Sequence, residues 1–278
     1  MAAVDDPRRR FAEAAQTRDE AIDLAEAALL IAAEAYPGLD IAHYLALLDA
    51  LADAIRPRLV AAAGDAARVR ALLHALAIEH RFSGNQDDYY DVRNSFLNEV
   101  LDRRTGIPIT LALVYIEVAR RLGLPVHGVA FPGHFLLKYS GAEEIIVDPF
   151  SGHVLTARAC AERLRSVIGD EAELEPSHLR AATRREILLR MLRNLKQIYL
   201  QCRQFEPALA CSERILLVSP DLALELRDRG LLYHQLECYA AAQTDLERFL
   251  ALEPDDDSAV LVREKLIEIR RHGGAILH

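Results

Sequence analysis

Two residues of the sequence, His134 and Asp148, have the types and the spacing of a catalytic base and the carboxylate that orients it. His134 begins a β-like run over 134–139 and Asp148 ends another over 144–148, with Ser-Gly-Ala-Glu between them. A hairpin centred on Gly141 would pair His134 with Asp148, Leu136 with Ile146 and Lys138 with Glu144. Facing Cβ atoms in such pairs lie roughly 5 Å apart, so the carboxylate can hold one imidazole tautomer and raise the basicity of the ring.

A nucleophile would complete this arrangement at the start of a buried helix, predicted over 110–122, where the helix dipole favours an anion. The helix is predicted because Pro108 suits a first turn, because apolar residues occur nearly all round the segment, and because Gly123 and Pro125 end it. Thr110 offers a hydroxyl at this start. A hydroxyl needs more help from its base than a thiol does, and a threonine there is also an ordinary N-cap.

The elements that must position these residues are mostly helical. A polar segment rich in Asn, Asp and Tyr precedes the buried helix, and such a loop either lines a groove near His134 or caps helices and closes on itself. Its candidate binding residues are Asn85, Asp87, Asp88, Tyr89, Tyr90 and Asn94. Apolar spacing and turn residues predict helices over 12–36, 40–55 (capped by Asp40 and ended before Pro57), 65–80, 94–104 and 157–167, and an additional β-like run over 126–131.

The C-terminal part of the chain contains an internal repeat. Five pairs of similar residues are each 34 positions apart: Tyr199 and Tyr233, Phe205 and Tyr239, Ala208 and Ala242, Pro220 and Pro254, Asp221 and Asp255. This period is typical of the helix–turn–helix tetratricopeptide repeat. The sequence predicts two units, over 186–221 and 222–255, followed by a helix over 258–271 that Gly273 and Gly274 end. Two repeats are few for an independent array, so we expect them to pack on the preceding domain.

The composition excludes several classes of protein. Among 278 residues, 51% are hydrophobic and 27% charged, with a net charge of −9 that disfavours binding to nucleic acid. No apolar run approaches the roughly 18 residues of a membrane span, and the first residues lack an apolar signal core, so a cytoplasmic location is expected. Four scattered cysteines and the lack of metal-ligand or phosphate-loop motifs predict neither a metal site nor a cofactor.

The order of the central elements resembles a known core. A buried helix ending in Gly-Leu-Pro, a strand, a strand headed by His134 and a strand ending in Asp148-Pro149 resembles the transglutaminase-like (papain-type) core. The runs GNQDDYYDVRNSFLNEVLDRRTGIPITLALVYIEVARRLGLPVHGVAFPGHFLLKY and IIVDPFSG are similar to the bacterial SirB-type family, whose members join such a core to a tetratricopeptide-type tail. The resemblance implies an α+β fold: mainly helical, with a small antiparallel sheet packed on the buried helix, then helical repeats.

The resemblance also implies which residue is missing. Active members of the transglutaminase-like group place a cysteine at the start of the buried helix, with the His and Asp completing a triad. His134 and Asp148 match the His and the Asp, whereas the cysteine position falls among Ile107, Pro108, Ile109 and Thr110. Cys160, in a predicted surface helix beyond Asp148, lies in the wrong place in the topology.

Three functions follow as hypotheses. The first is a non-catalytic transglutaminase-like protein that binds a protein or peptide through a groove in the core and through its repeats. The second is an acyl-transferring or amide-hydrolysing enzyme that uses Thr110 with His134 and Asp148. The third is a structural scaffold in which His134 and Asp148 form only a satisfied buried pair. We predict three regions: an N-terminal helical part over 1–80, the core over 81–180 and the repeats over 181–278.

Overall fold

The computed structural model describes residues 6–275 of the chain. It divides into two compact units, the first ending at Met191 and the second beginning at Leu192. The first unit is α+β and the second is helical. No helix in the described residues combines the length and the apolar character needed to cross a bilayer.

The first unit opens with four helices: α1 (Pro7–Gln16), α2 (Leu24–Ala35), α3 (Ile41–Ala61) and α4 (Asp65–Leu73), the last continued by a π-helical turn, His74–Glu79. The prediction of one helix over 12–36 was wrong. The chain bends through a 3₁₀ turn at Asp19–Ala21, and α2 starts afresh because Asp23 accepts a hydrogen bond from the N–H of Glu26.

Helix α3 shows one sequence rule that holds and one that does not. Asp40 is its N-cap, as predicted, and accepts a hydrogen bond from the N–H of His43. The helix does not stop before Pro57, however, but continues to Ala61. Pro57 lies on the exposed side, and the continuation buries Leu59 one turn after Ile55.

The centre of the first unit is α6 (Pro108–Arg121), preceded by a 3₁₀ turn (Val92–Ser95), a short helix α5 (Leu97–Arg103) and two-residue parallel strands β1 (Ser83–Gly84) and β2 (Thr105–Gly106). The single helix predicted over 94–104 is thus two shorter helical segments. Helix α6 contacts α3, α5 and the sheet, and its residues are buried from Pro108 to Tyr115. Its apolar character on all sides therefore did indicate a central helix.

A four-stranded antiparallel sheet packs on α6, with strands in chain order: β3 (Val126–Val129), β4 (Leu136–Ser140), β5 (Glu144–Asp148) and β6 (His153–Leu155). Strand β6 was not predicted. Helix α7 (Ala157–Ile168) follows, and its residues Cys160 and Leu164 pack against Val129, Phe131 and Leu136. One face of this predicted surface helix is therefore part of the core.

The predicted hairpin register was wrong by two residues. Ser140, not Lys138, pairs with Glu144, and Lys138 pairs with Ile146. The hairpin is centred on Ala142 rather than on Gly141, and moving the centre by one residue shifts the pairing by two. A shift of two keeps every side chain on its predicted face, and the Lys138 Nζ atom still lies 2.6 Å from Oε1 of Glu144, now along a diagonal.

The second unit carries the repeats. Helix α8 (Arg184–Gln201) leads into it and is followed by α9 (Phe205–Val218), α10 (Ala223–Gln235), α11 (Tyr239–Leu252) and α12 (Ala259–Ala275). Phe205 and Tyr239 begin equivalent helices, as the 34-residue offset predicted. Gly230 allows close packing, because a Cβ atom there would lie 2.7 Å from the Leu246 side chain. The predicted stop at Gly273 was wrong, since α12 runs on to Ala275.

Candidate functional site

His134 lies in the turn between β3 and β4 rather than in a strand as predicted. Pro132 and Gly133, with a φ of +67° at the glycine, form the central pair of the turn, and the His134 N–H donates to the carbonyl oxygen of Phe131 at 3.0 Å. Proline followed by a glycine with positive φ is the sequence of a type II turn. The turn delays β4 until Leu136 and leaves the His134 side chain 16% exposed.

Asp148 ends β5 and is the centre of a hydrogen-bond network. Its Oδ1 atom lies 2.8 Å from Nε2 of His134 and 2.9 Å from the N–H of Phe150, which donates to it. Its Oδ2 atom accepts from Nη2 of Arg163 at 2.9 Å. The Asp148 side chain is only 2% exposed. The predicted imidazole–carboxylate pair is therefore present, although the two residues are not a cross-strand pair.

Arg163 is a site residue that the sequence analysis missed. It projects from α7, 15 residues after Asp148, and holds the carboxylate oxygen that does not face His134. The only sequence signal was its place one turn after Cys160 on a helix with a buried face. The contact fixes the orientation of the Asp148 carboxylate and so the direction of the His134 ring.

The environment of Asp148 keeps it ionised. Burial raises the pKa of its carboxyl, but the hydrogen bond and positive charge from His134, the charge of Arg163 and the Phe150 N–H together lower the pKa well below its usual range. With Nε2 of His134 occupied by this carboxylate, Nδ1 remains as the other ring nitrogen, and no partner for it occurs among the described residues. An imidazole oriented in this way presents Nδ1 for a hydrogen bond to a ligand.

Thr110 does not face His134 with a free hydroxyl. Its Oγ1 atom lies 2.6 Å from the carbonyl oxygen of Asn94 and 3.1 Å from that of Ile107, and it accepts from the Ile107 N–H at 3.2 Å. Thr110 is fully buried and is the third residue of α6, so it is not the N-cap, a position that Ile107 occupies. Its hydroxyl joins the helix start to the preceding loop.

Asn94 organises the polar loop. It is fully buried, and its amide nitrogen donates to the carbonyl oxygens of Asp88 (2.7 Å) and Tyr89 (3.3 Å). Its side-chain oxygen accepts from Nδ2 of Asn85 at 3.1 Å, and Oδ1 of Asn85 accepts from the Asp88 N–H at 3.0 Å. Three of the predicted binding residues, Asn85, Asp88 and Asn94, are thus engaged in closing the loop.

The two tyrosines of the loop are placed differently. Tyr89 and Tyr90 are 42% and 62% exposed, and their rings contact each other edge to face. The ring of Tyr89 lies 6.1 Å from that of Phe150, which in turn lies 6.2 Å from the His134 ring, nearly perpendicular to it. We call these four residues, Tyr89, Tyr90, His134 and Phe150, the His134 surface.

Gly84 fixes Phe150 against this loop. The N–H of Gly84 donates to the Phe150 carbonyl oxygen at 3.1 Å, and a Cβ atom at this glycine would lie 2.4 Å from the Phe150 ring. The ring therefore lies directly on the glycine backbone. This close approach brings the loop of Tyr89 beside the turn of His134.

The cysteines lie elsewhere. Cys160 and Cys211 are buried, Cys202 and Cys238 are exposed, and all four are free. Burial raises the pKa of the Cys160 thiol, although the charge of Arg163 opposes this. Within residues 6–275 no group of three or more His, Cys, Asp or Glu side chains is arranged to hold a metal ion.

Comparison with known proteins agrees with this architecture. Residues 42–193 match the transglutaminase-like superfamily and residues 195–266 match the tetratricopeptide repeat. The UPF0162 protein of Xylella fastidiosa (strain 9a5c) is 40% identical over 256 residues, which cover 90% of this chain and 91% of that protein. The chain belongs to the UPF0162/SirB1 family. Protein SirB1 of Salmonella typhimurium is 34% identical over 185 residues, covering 66% of this chain and 68% of that protein.

Another member of the UPF0162/SirB1 family is also similar over nearly the whole chain. The UPF0162 protein of Pseudomonas aeruginosa is 37% identical over 255 residues, or 92% of this chain and 94% of that protein. The sequence resemblance to a SirB-type protein with a transglutaminase-like core and a repeat tail is therefore confirmed. In this member, the start of α6 carries Thr110 and no cysteine.

Proposed function

We propose that this UPF0162/SirB1 family member is a non-catalytic binding protein: its core binds an extended polypeptide segment at the His134 surface, and its repeats bind a second protein. The observation that carries the proposal is the pairing of an oriented, partly exposed His134 with a helix start whose only hydroxyl is buried in backbone hydrogen bonds. The histidine is oriented to make a hydrogen bond, and the Thr110 hydroxyl at the start of α6 is not free to attack a carbonyl.

The composition of the His134 surface supports a polypeptide ligand. Exposed tyrosines supply apolar area together with a polar group and are enriched where proteins bind one another. Tyr89 and Tyr90 are exposed in their loop, and Phe150 links them to the imidazole. Val167, 53% exposed, adds apolar area next to Gly133, on the other side of the turn.

The Thr110 hydroxyl argues against the catalytic alternative. A hydroxyl has one proton to donate, and the shortest contact of Oγ1, 2.6 Å, is with the carbonyl oxygen of Asn94. Attack on a substrate would require this bond to break and the buried side chain to turn towards His134. A nucleophile needs its base within hydrogen-bonding reach, so we propose that Thr110 is structural.

The repeats provide the second binding element. Tetratricopeptide repeats in general mediate protein–protein interactions through the surfaces that their stacked helices form. We propose that this unit recruits a protein partner, and that the whole chain works in the cytoplasm, a reducing compartment that suits its four free cysteines.

A peptide-display experiment tests the core site. The full chain is immobilised and used to select phage-displayed random dodecapeptides, and the enriched peptides are then titrated with a fluorescent label. We expect Tyr90→Ala to weaken binding about tenfold or more, because an exposed aromatic anchor of an interface is removed. His134→Ala should also weaken binding. The peptide should be recovered chemically unchanged from this variant, as from the parent.

Val60→Ala is the matched control, because Val60 is 82% exposed on α3 and belongs to no part of the His134 surface. Its affinity for the selected peptides should equal that of the parent. The proposal is wrong if Tyr90→Ala and His134→Ala bind as tightly as Val60→Ala, if no peptide is enriched, or if the bound peptides are cleaved or acylated.

A further inference from the structure

A cleft of about 300 Å³ lies in the first unit at the free edge of β3. We call it the edge cleft. It lies between that strand, α6, the start of α2 and the start of α8, and its lining includes Glu20, Glu117, Arg120, Val126, Gly128 and Ile187. None of the four residues of the His134 surface lines it. Its volume is at the small end of the range for ligand pockets.

The floor of the edge cleft is an unpaired piece of β-strand. The Ser140 N–H donates to the Pro125 carbonyl oxygen, so Pro125 and, two residues on, His127 direct their backbone groups towards β4. Val126 and Gly128, by alternation, direct theirs to the free edge. The Val126 N–H reaches Leu124, whereas the Val126 C=O and the Gly128 N–H have no hydrogen-bond partner among the described residues.

These two groups are spaced to bind one amino-acid residue. In a parallel ladder, each residue of the added strand lies opposite one residue of the existing strand. Its N–H donates to the carbonyl oxygen of the residue that precedes this opposite residue, and its C=O accepts from the N–H of the residue that follows it. An acceptor on Val126 and a donor on Gly128 match a residue opposite His127. Gly128 is buried, and a buried backbone N–H almost always has a partner in native proteins.

The next backbone group along this edge, the Gly128 carbonyl oxygen, already has a hydrogen-bond partner within the protein. The Ala182 N–H donates to the Gly128 carbonyl oxygen at 2.7 Å, just before the chain turns into α8. An extended segment therefore fits beside β3 sterically. This pairing does not continue to the next ladder position, where the Val126 C=O and the Gly128 N–H lie.

The charged side chains at the edge cleft determine which kind of amino-acid residue would bind there. The carboxylate of Asp19 accepts from the N–H groups of Arg184 and Arg185, and the buried Glu117 lies 2.9 Å from Arg120 and 2.6 Å from Arg121. Glu20, exposed at the cleft, has no such partner in the described part of the chain. Arg184 also lines the cleft, and its guanidinium donates to the neutral carbonyl oxygen of Ile22. The lining therefore carries the acids Asp19, Glu20 and Glu117 against the arginines Arg120 and Arg184, and its formal charge is negative.

We infer that the edge cleft binds the N–H and C=O of a single basic amino-acid residue, either free or within an extended peptide, by parallel pairing with Val126 and Gly128. The backbone pair binds the main chain, and Glu20 attracts the cationic side chain. This site is separate from the one in the proposed function and does not depend on it.

Two probes distinguish the sources: free L-lysine, and Nα-acetyl-L-lysine N-methylamide, which carries a peptide group on each side. Each is titrated into the ¹⁵N-labelled full chain while the amide resonance of Gly128 is followed. A saturable downfield shift of this resonance is expected, since its N–H gains an acceptor. If the capped probe binds more tightly, the ligand is a peptide. If free lysine binds more tightly, the ligand is a free amino acid.

Variants make the assignment specific. Glu20→Gln should weaken the preferred probe about threefold or more, and the capped norleucine analogue, which lacks the charge, should lose affinity by the same factor. Glu171→Gln, an exposed acid outside the edge cleft, is the matched control and should change nothing. Ile116 also lines the cleft, so Ile116→Trp should abolish binding by filling it; the thermal melt of this variant is compared with that of the parent. The inference is overturned if neither probe shifts Gly128 at millimolar concentration, or if Glu20→Gln binds as the control does.

Discussion

The Nε2 atom of His134 lies 2.8 Å from Oδ1 of Asp148, although the two residues are not opposite one another in the sheet. His134 reaches Asp148 from a turn, across the end of β5, and Arg163 of α7 holds the other carboxylate oxygen. Three elements that are separate in the chain therefore converge on one buried carboxylate. The geometry of the site therefore depends on the contacts of the Asp148 carboxylate more than on the pairing of β4 with β5.

Replacing Asp148 should destabilise the protein and change its dependence on pH. Asp148→Ala leaves His134, Arg163 and the Phe150 N–H without an acceptor, and we expect a loss of roughly 3 kcal/mol in the free energy of unfolding. The folded-state pKa of Asp148 is lowered, so its contribution is present above the unfolded pKa, near 4, and is lost as the pH falls towards the folded value. Urea unfolding of Asp148→Asn should consequently depend less on pH below about 4 than unfolding of the parent.

Asp87→Asn is the control for that measurement, since Asp87 is exposed in the loop. Its unfolding should follow the parent at every pH. Equal slopes for Asp148→Asn and the parent would show that the carboxylate is not the group that titrates.

The hairpin shows how far the sequence predicts such a site. Alternation of apolar and polar residues placed Leu136, Lys138 and Ile146 on their correct faces. The register was missed because a shift of two residues preserves every face, so alternation cannot distinguish the two pairings. The pair of His134 and Asp148 was still found, because a side chain in the turn reaches the same carboxylate that a cross-strand neighbour would.

Thr110 should matter for stability and not for any reaction. Thr110→Val removes the donor to the Asn94 carbonyl oxygen and the acceptor for the Ile107 N–H, both buried, and we expect a loss of about 1–3 kcal/mol. Thr110→Ser keeps both hydrogen bonds and should remain close to the parent. Both variants should bind the selected peptides as the parent does, once folded. A Thr110→Val protein with unchanged unfolding and altered peptide binding would place the hydroxyl in the site instead.

Arg163 and the edge cleft were out of reach of sequence reasoning for a common reason. Each depends on contacts between elements distant in the chain: α7 with the end of β5, and β3 with the starts of α2 and α8. Periodicity indicates which face of a helix is buried but not which side chain of another element it meets. The repeats, in contrast, were predictable, since each helix pair packs mainly on its neighbour along the chain.

The cysteines should divide into two classes by reactivity. Cys202 and Cys238 are exposed, whereas Cys160 and Cys211 are buried, and burial raises the pKa of Cys211 to about 12. Because the thiolate is the reactive form, Ellman's reagent should label two thiols of the folded chain rapidly and four in denaturant. The double variant Cys202→Ser/Cys238→Ser should show no rapid labelling. A thiol that still reacts rapidly there would reveal an activated cysteine and revive a catalytic function.

The last prediction concerns a buried ion cluster within the repeats. Lys196 Nζ lies 2.7 and 2.8 Å from the two carboxylate oxygens of Glu225 and 3.0 Å from Oδ2 of Asp228, with the Lys196 and Glu225 side chains 9% and 5% exposed. Lys196→Met strands the Glu225 charge without its cation, and we expect a loss of about 3–5 kcal/mol in urea unfolding.

A second substitution separates the charge from the packing. Lys196→Met/Glu225→Met removes both buried charges, so it should recover a large part of the loss, because methionine fills much of the same volume. Lys265→Met serves as the surface control: Lys265 forms a partly exposed pair with Glu268 at 2.7 Å, which is worth less than about 1 kcal/mol. If the single variant at Lys196 costs no more than this control, the cluster does not stabilise the repeat, and apolar packing around Leu246 and Phe249 alone holds it together.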